Sequence, residues 1–270
     1  MDNRPIAVFD SGIGSLSVIQ SLRKEMANEP IVYLADRAHY PYGKKTKEQL
    51  KSLIIQTLKY LERFDPKVIV VASITPSIQV LRECKLCTNI PVFGVYLNIE
   101  EAATLSKTKI IALLATEGTI ASEALDDYIK PYITTTKIIK VNASPMIDLV
   151  ESGKFVEDAD AVKQVIIDDT VSIKSNPKTD TIILGSTHLP LIKEHIAGIY
   201  PKMQFVDPAI TTVKQVKTFL QNQDITAQNK GGNMQILVSK NKQSFEKIVR
   251  SLGIRDKIEE VNLDFKIDIF

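Results

Sequence analysis

The stretch Ile182-Ile183-Leu184-Gly185-Ser186-Thr187-His188-Leu189-Pro190 decides the fold. A short apolar run ends in a glycine, and three hydrogen-bonding side chains then lead toward a helix start. This is the grammar of a buried strand in an open α/β sheet, where ligands bind just beyond the carboxyl ends of the strands. The stretch Val68-Ile69-Val70-Val71-Ala72-Ser73-Ile74-Thr75-Pro76 has the same grammar, again with a serine one residue past a small residue. The two serines stand 113 positions apart. The chain therefore carries two matched strand-end sites, and the remainder reads as the scaffold that makes them face each other.

Working outward, strand-like runs at 6–9, 31–35, 91–95, 110–115, 204–207 and 234–238 alternate with segments of helical periodicity. Such alternation predicts α/β layers with largely parallel sheets. Asp10-Ser11-Gly12-Ile13-Gly14-Ser15 follows the first strand, and two glycines there let the backbone approach a ligand while the next helix offers free N–H groups. The fingerprint G-x-G-x-x-G is not met, because Ser17 stands where the third glycine belongs. Ser17 with Gln20 and Thr46 with Gln49 each have capping-box spacing, and Thr75-Pro76 has the form of an N-cap followed by proline. Thr116-Glu117-Gly118-Thr119 after the strand at 110–115 echoes the first turn, which suggests an internal duplication. Ser144-Pro145 starts a short helix that Gly153 stops, and a longer helix is expected over 159–174. The polar stretch 222–233 is expected to be a mobile loop.

Composition narrows the function classes. Of 270 residues, 44% are hydrophobic and 24% charged, which describes an ordinary globular protein of one large or two smaller domains. A formal charge of +2, from 34 basic and 32 acidic residues, offers no case for nucleic acid or a membrane surface. No apolar run reaches the ~18 residues expected of a membrane span. The strand-like run begins at residue 6 and leaves no room for a signal peptide, so a cytoplasmic location is expected. The two cysteines form Cys84-Lys85-Leu86-Cys87. A structural zinc needs four ligands and no second pair supplies them, so these read as two incidental thiols near the surface.

The motifs Val8-Phe9-Asp10-Ser11-Gly12-Ile13-Gly14, Pro41-Tyr42-Gly43, Ala115-Thr116 with Gly118-Thr119, and Leu184-Gly185-Ser186-Thr187-His188-Leu189-Pro190-Leu191, taken in order, resemble glutamate racemase of the aspartate/glutamate racemase superfamily. The resemblance implies two pseudo-symmetric three-layer α/β domains, residues 1–96 plus 208–270 and residues 97–207, with the active site in the cleft between them. It implies interconversion of L- and D-glutamate with neither pyridoxal phosphate nor metal, and, since members commonly dimerise, a homodimer. In the family two cysteines face opposite sides of the substrate Cα, one thiolate removing the α-proton and the other thiol returning one.

Here the departures matter. The family's Ala-Cys-Asn-Thr is Ala72-Ser73-Ile74-Thr75, and its Gly-Cys-Thr-His is Gly185-Ser186-Thr187-His188. The tyrosine usual after the histidine is Leu189, and the proline usual shortly after Gly94-Val95 is missing from Tyr96-Leu97-Asn98. A thiol reaches a usable thiolate fraction near neutral pH, whereas a serine hydroxyl acts only when another base takes its proton. Losing one positioned acid or base typically costs ~10²–10⁴-fold, so ordinary two-thiol racemisation is expected to fail. By resemblance, Asp10, His188 and Glu151 assist the catalytic positions Ser73 and Ser186. Ser11, Tyr42, Gly43, Ile74, Thr75, Thr116, Thr119 and Thr187 fall at substrate-binding positions, with Tyr42 and Gly43 acting partly through backbone N–H groups. Three readings stand open: a racemase relative that lost or changed its chemistry yet binds a small amino acid or dicarboxylate, with or without a regulatory role; a racemase altered Cys→Ser by design, against which Ile74 counts; and a hydrolase using Ser186 and His188. The last lacks G-x-S-x-G, and side chains two positions apart need not meet.

Overall fold

Ten strands make two sheets in the computed structural model, which describes residues 2–228 and 231–265. The first sheet contains β1 (Ile6–Asp10), β2 (Ile31–Ala35), β3 (Val68–Val71), β4 (Val92–Gly94), β9 (Met234–Val238) and β10 (Ile258–Glu260). The second contains β5 (Ile110–Ala115), β6 (Lys137–Asn142), β7 (Thr181–Leu184) and β8 (Gln204–Val206). Every pairing is parallel. The central strands are short, mostly apolar runs buried along their whole length because parallel strands are covered on both faces. The strand order is β10-β9-β2-β1-β3-β4 in one sheet and β6-β5-β7-β8 in the other. The order β2-β1-β3-β4 thus recurs as β6-β5-β7-β8, the topological counterpart of the offset between the two serines.

The chain divides into two compact units, Met1–Val95 with Ala209–Phe270, and Tyr96–Pro208. In the first unit the crossovers run through α1 (Ser15–Glu25), α2 (Lys47–Glu62), α3 (Ile74–Gln79) and α4 (Leu81–Cys84). The second holds α5 (Ile99–Leu105), α6 (Glu117–Ile120), α7 (Glu123–Ile129), α8 (Ser144–Glu151), α9 (Ala159–Asp169), α10 (Val171–Lys174) and α11 (Lys193–Ile199). Helices α12 (Pro208–Asn222) and α13 (Lys242–Ser251) flank β9 on the return to the first sheet. Among the described residues, no helix is long and apolar enough to cross a membrane.

Register places the carboxyl ends of the strands. Asp10 pairs with Ala35, and Phe9 with Val71, so Ser11, Asp36 and Ala72-Ser73 leave the first sheet side by side. In the second sheet Leu114 pairs with Leu184 and Ala115 with Asn142, which brings Thr116, Ala143 and Gly185-Ser186 to one edge. Gly185 is small for a reason visible here. A Cβ on it would stand 2.6 Å from the Leu114 carbonyl oxygen, so only glycine lets the Ser186 turn lie against β5.

Some local expectations hold in detail and others do not. Thr46 and Gln49 form the full reciprocal capping box of α2, at 3.2 and 3.1 Å, and Leu50, Leu53, Ile54, Leu58 and Leu61 are buried along one stripe. The Ser17–Gln20 box does not form. Helix α1 already starts at Ser15 with Gly14 as N-cap, and the Ser15 and Ser17 hydroxyls donate backward to the Gly12 and Gly14 carbonyls. Helix α3 starts one residue before the expected cap, so Ser73 is its N-cap residue and Pro76 its third helical residue. The helix expected over 159–174 breaks at Thr170. Strands β6 and β10 were not expected at all. Both lie at sheet edges with outward Lys137 and Lys140, or Glu259 and Glu260, interrupting any apolar run.

The polar stretch 222–233 carries no strand, and its positions 229 and 230 lie outside the described residues. Its described part is anchored rather than loose. The Lys67 ammonium donates to the carbonyls of Asp2 and Ile225, each at 2.8 Å, and pairs with Glu29 at 2.5 Å. Glu29 accepts in turn from the Ala227 N–H, and the Gly232 N–H donates to the Ala27 carbonyl.

The cysteines also differ from expectation. Cys87 is exposed, but Cys84 is fully buried against α2, its thiol 3.7 Å from the Lys51 carbonyl. Burial, and then the neighbouring Cys87, pushes the Cys84 thiol up to about 11. A disulfide reagent at neutral pH is therefore expected to titrate a single thiol in the native chain, and two after unfolding in denaturant. Equal reactivity of both thiols in native protein would contradict the burial of Cys84.

Candidate active site

In the first unit the Ser11 N–H donates to Asp10 Oδ1 at 2.7 Å, closing the turn after β1. The Tyr42 N–H approaches Ser11 Oγ at 3.4 Å, so the Pro41-Tyr42-Gly43 loop folds over that turn. The loop enters through a cis Tyr40–Pro41 bond and becomes a single 3-10 turn, Tyr42–Lys44, packed on α3. A Cβ at Gly43 would lie 3.9 Å from Thr75 Oγ1, so the Gly43 backbone and the Thr75 hydroxyl border one small space. Asp10, Ser11, Tyr42, Gly43, Ser73 and Thr75 thus gather at the carboxyl edge of the first sheet. Ile74 begins α3 beside them and is only 4% exposed.

Tyr42 contributes its backbone to this space, because its phenol turns inward and donates to Asp36 Oδ2 at 3.0 Å. Burial, and then the Asp36 and Asp10 carboxylates, push that phenol well above its ordinary value, which keeps it protonated and donating. Asp36 is fully buried and also accepts from Ser239 Oγ at 3.2 Å, while its Oδ1 stands 2.7 Å from His39 Nδ1. In sequence Asp36 is only the aspartate that follows the β2 run. Its part in fixing the loop depends on Ser239, 203 positions away, and no local signal announces that.

In the second unit Thr116 caps α6, accepting from the Thr119 N–H at 3.2 Å and donating to Thr119 Oγ1 at 2.9 Å. Thr119 and Thr187 are buried. Ser186, His188 and Glu151 are brought together in one line. Ser186 Oγ is 3.3 Å from His188 Nδ1, and His188 Nε2 is 2.8 Å from Glu151 Oε2. The three are 8%, 7% and 9% exposed. Side chains two positions apart need not meet, but here Ser186 and His188 do. Residues 186–188 form a tight turn into the 3-10 helix Leu189–Ile192, which folds the imidazole back over the hydroxyl. Leu189 is fully buried, and Tyr96 stacks on Tyr128 with ring centroids 6.3 Å apart.

The two serines therefore differ. Ser186 has a base and an orienting carboxylate, whereas Ser73 Oγ makes no hydrogen bond among the described residues and does not cap the helix it precedes. Among those residues no three or more His, Cys, Asp or Glu side chains gather to hold a metal ion.

The profile of the Asp/Glu/Hydantoin racemase family matches residues 6–216, which includes the strand-end residues described in each unit and leaves out Ser239, just past β9. The chain belongs to this family. Within it, a glutamate racemase of Limosilactobacillus reuteri is 33% identical over 230 residues, covering 85% of each chain. A glutamate racemase of Bacillus anthracis superposes with a TM-score of 0.87 at 27% identity, covering 98% of this chain and 100% of that one. The glutamate racemase of Francisella tularensis, solved with D-glutamate, gives 0.83 at 28% identity over 98% and 99%. The racemase-family fold thus covers 98% of the chain, including the return through β9 and β10.

Proposed function

We propose that this racemase-family chain binds a small amino acid or dicarboxylate, glutamate foremost, and has lost two-thiol racemisation. The observation that carries the reading is the pair Ser73 and Ser186 at the strand ends where the resemblance expects the two acid/base thiols. Ser73 has no thiol, and its hydroxyl makes no hydrogen bond to a base among the described residues, so proton transfer on its side is lost. Binding stands on other groups. The backbone N–H groups of Tyr42 and Gly43 and the hydroxyls of Ser11, Thr75 and Thr187 are donors suited to a carboxylate, and hydroxyl oxygens, those of Thr116 and Thr119 included, can accept from an ammonium group. Asp10 is a carboxylate suited to an ammonium group.

Ile74 takes an amide's donors and acceptor out of the first half-site. A polar ligand group left without that partner costs ~1–3 kcal/mol, so affinity for glutamate is expected to be weaker than a racemase with asparagine there would show. Calorimetry with D- and L-glutamate, D- and L-aspartate and simple dicarboxylates tests the reading. The expected result is a saturable heat with at least one of them, reduced by Thr187→Val. Folded protein that gives no heat with any would leave a structural or protein-binding role instead.

A further inference from the structure

We propose that Ser186 is a nucleophilic serine that accepts an acyl group from a small activated ester, with His188 as its base and Glu151 holding the ring. The inference goes beyond carboxylate binding and does not depend on it. Its ground is the geometry of one buried line. A carboxylate accepts but does not donate, so Glu151 Oε2 at 2.8 Å fixes the proton of the neutral imidazole on Nε2. The lone pair of Nδ1 is then directed at Ser186 Oγ, 3.3 Å away. That is the arrangement of a nucleophile, a base and an orienting acid, with the two ring nitrogens used in the opposite sense to the familiar serine hydrolases.

Two further features serve the same chemistry. The His188 N–H approaches Ser186 Oγ at 3.4 Å and favours charge developing on that oxygen. The Ser186 N–H makes no hydrogen bond among the described residues and is a donor for the oxyanion of an attacked carbonyl. Gly185, pressed against the Leu114 carbonyl, holds this turn in place. Ser73, at the matching strand end, shares the unbonded N–H among the described residues but has no imidazole at its hydroxyl, so the fold itself supplies the contrast.

The step balances. Ser186 Oγ forms a bond to the carbonyl carbon, its proton passes to His188 Nδ1, and the ester's C–O bond breaks. The leaving oxygen takes the proton from His188. Water then attacks the acyl-serine with the same nitrogen as base, releasing the carboxylic acid and restoring Ser186. Ser186 as a residue is 8% exposed, which favours small acyl groups such as acetyl.

The full chain, incubated with p-nitrophenyl acetate, is expected to release a burst of p-nitrophenolate stoichiometric with protein and to carry an acetyl adduct that maps to Ser186. A fluorophosphonate should phosphonylate the same residue with loss of fluoride. Ser186→Ala should abolish both, and His188→Asn should slow acylation by ~10²-fold or more. Glu151→Gln should lower kcat for the ester without raising KM, which a merely structural residue would not do. Should Ser186→Ala fail to fold by circular dichroism, adduct mapping on the parent chain and the His188→Asn rate decide the question. Folded parent protein that takes no adduct, or takes it only at other residues, overturns the proposal. So does a His188→Asn variant that acylates at the parent rate.

Discussion

Ser73→Cys combined with Ser186→Cys is expected to produce α-proton exchange of bound glutamate in deuterated water, at least ~10²-fold above the parent chain, which should show none over buffer. A thiol at position 186 would inherit His188 at the distance now held by the serine, and the Glu151 hydrogen bond behind it. A thiol at 73 would stand at the N-cap of α3, where no side-chain hydrogen bond competes for it and free helix N–H groups favour the thiolate. Each single cysteine should exchange only one enantiomer, because in the family each reaches one side of Cα. Adding Ile74→Asn should raise the rate further by returning a polar partner. Because Ile74 is 4% exposed, this change is also expected to lower stability, by ~1–3 kcal/mol wherever the new amide lacks a partner. Racemisation by the unmodified chain would overturn the loss of two-thiol chemistry. An inert double-cysteine variant that still binds glutamate would place the loss in more than the thiols, with Leu189 and the Tyr96–Tyr128 stack the next residues to test.

The largest stability effect is expected at the other end of the first sheet. Lys67 and Glu29 are 0% and 4% exposed at their side chains, and their pair ties the segment before β1 to the stretch after α12. Lys67→Met should destabilise the chain by ~3–5 kcal/mol, since it strands the Glu29 carboxylate and leaves the Asp2 and Ile225 carbonyls without their donor. Glu29→Gln should cost less, because the amide can still accept from the Ala227 N–H at the position Glu29 now holds. Lys67→Met with Glu29→Leu should recover a large part of the loss, because an apolar pair removes the unpaired charge. Urea unfolding of the three variants measures this. A Lys67→Met midpoint equal to the parent's would mean that water or a shifted side chain compensates the carboxylate.

Much of this protein was legible in its sequence because the decisive signals are local. The apolar runs that make β1, β3, β5 and β7 are contiguous, and the small residue just past β7 is followed at once by its serine. Thr46 and Gln49 cap α2 from within four residues. The ordered motifs that carry the racemase resemblance are likewise read along the chain. What the tertiary structure decided depends on groups far apart in sequence. The helix over 159–174 breaks at Thr170, whose hydroxyl donates back to the Ile166 carbonyl and accepts from the Tyr200 hydroxyl, 30 positions away, a partner that no pattern within the helix predicts. Asp36 became a hub only when Ser239 arrived from the returning segment. Ser186 and His188 were visible as neighbours, but whether they touch depends on Glu151, 37 residues earlier, which orients the imidazole. Sequence placed the two serines at equivalent strand ends, and the side chains packed around them made one a hydroxyl with a base and the other a hydroxyl without one.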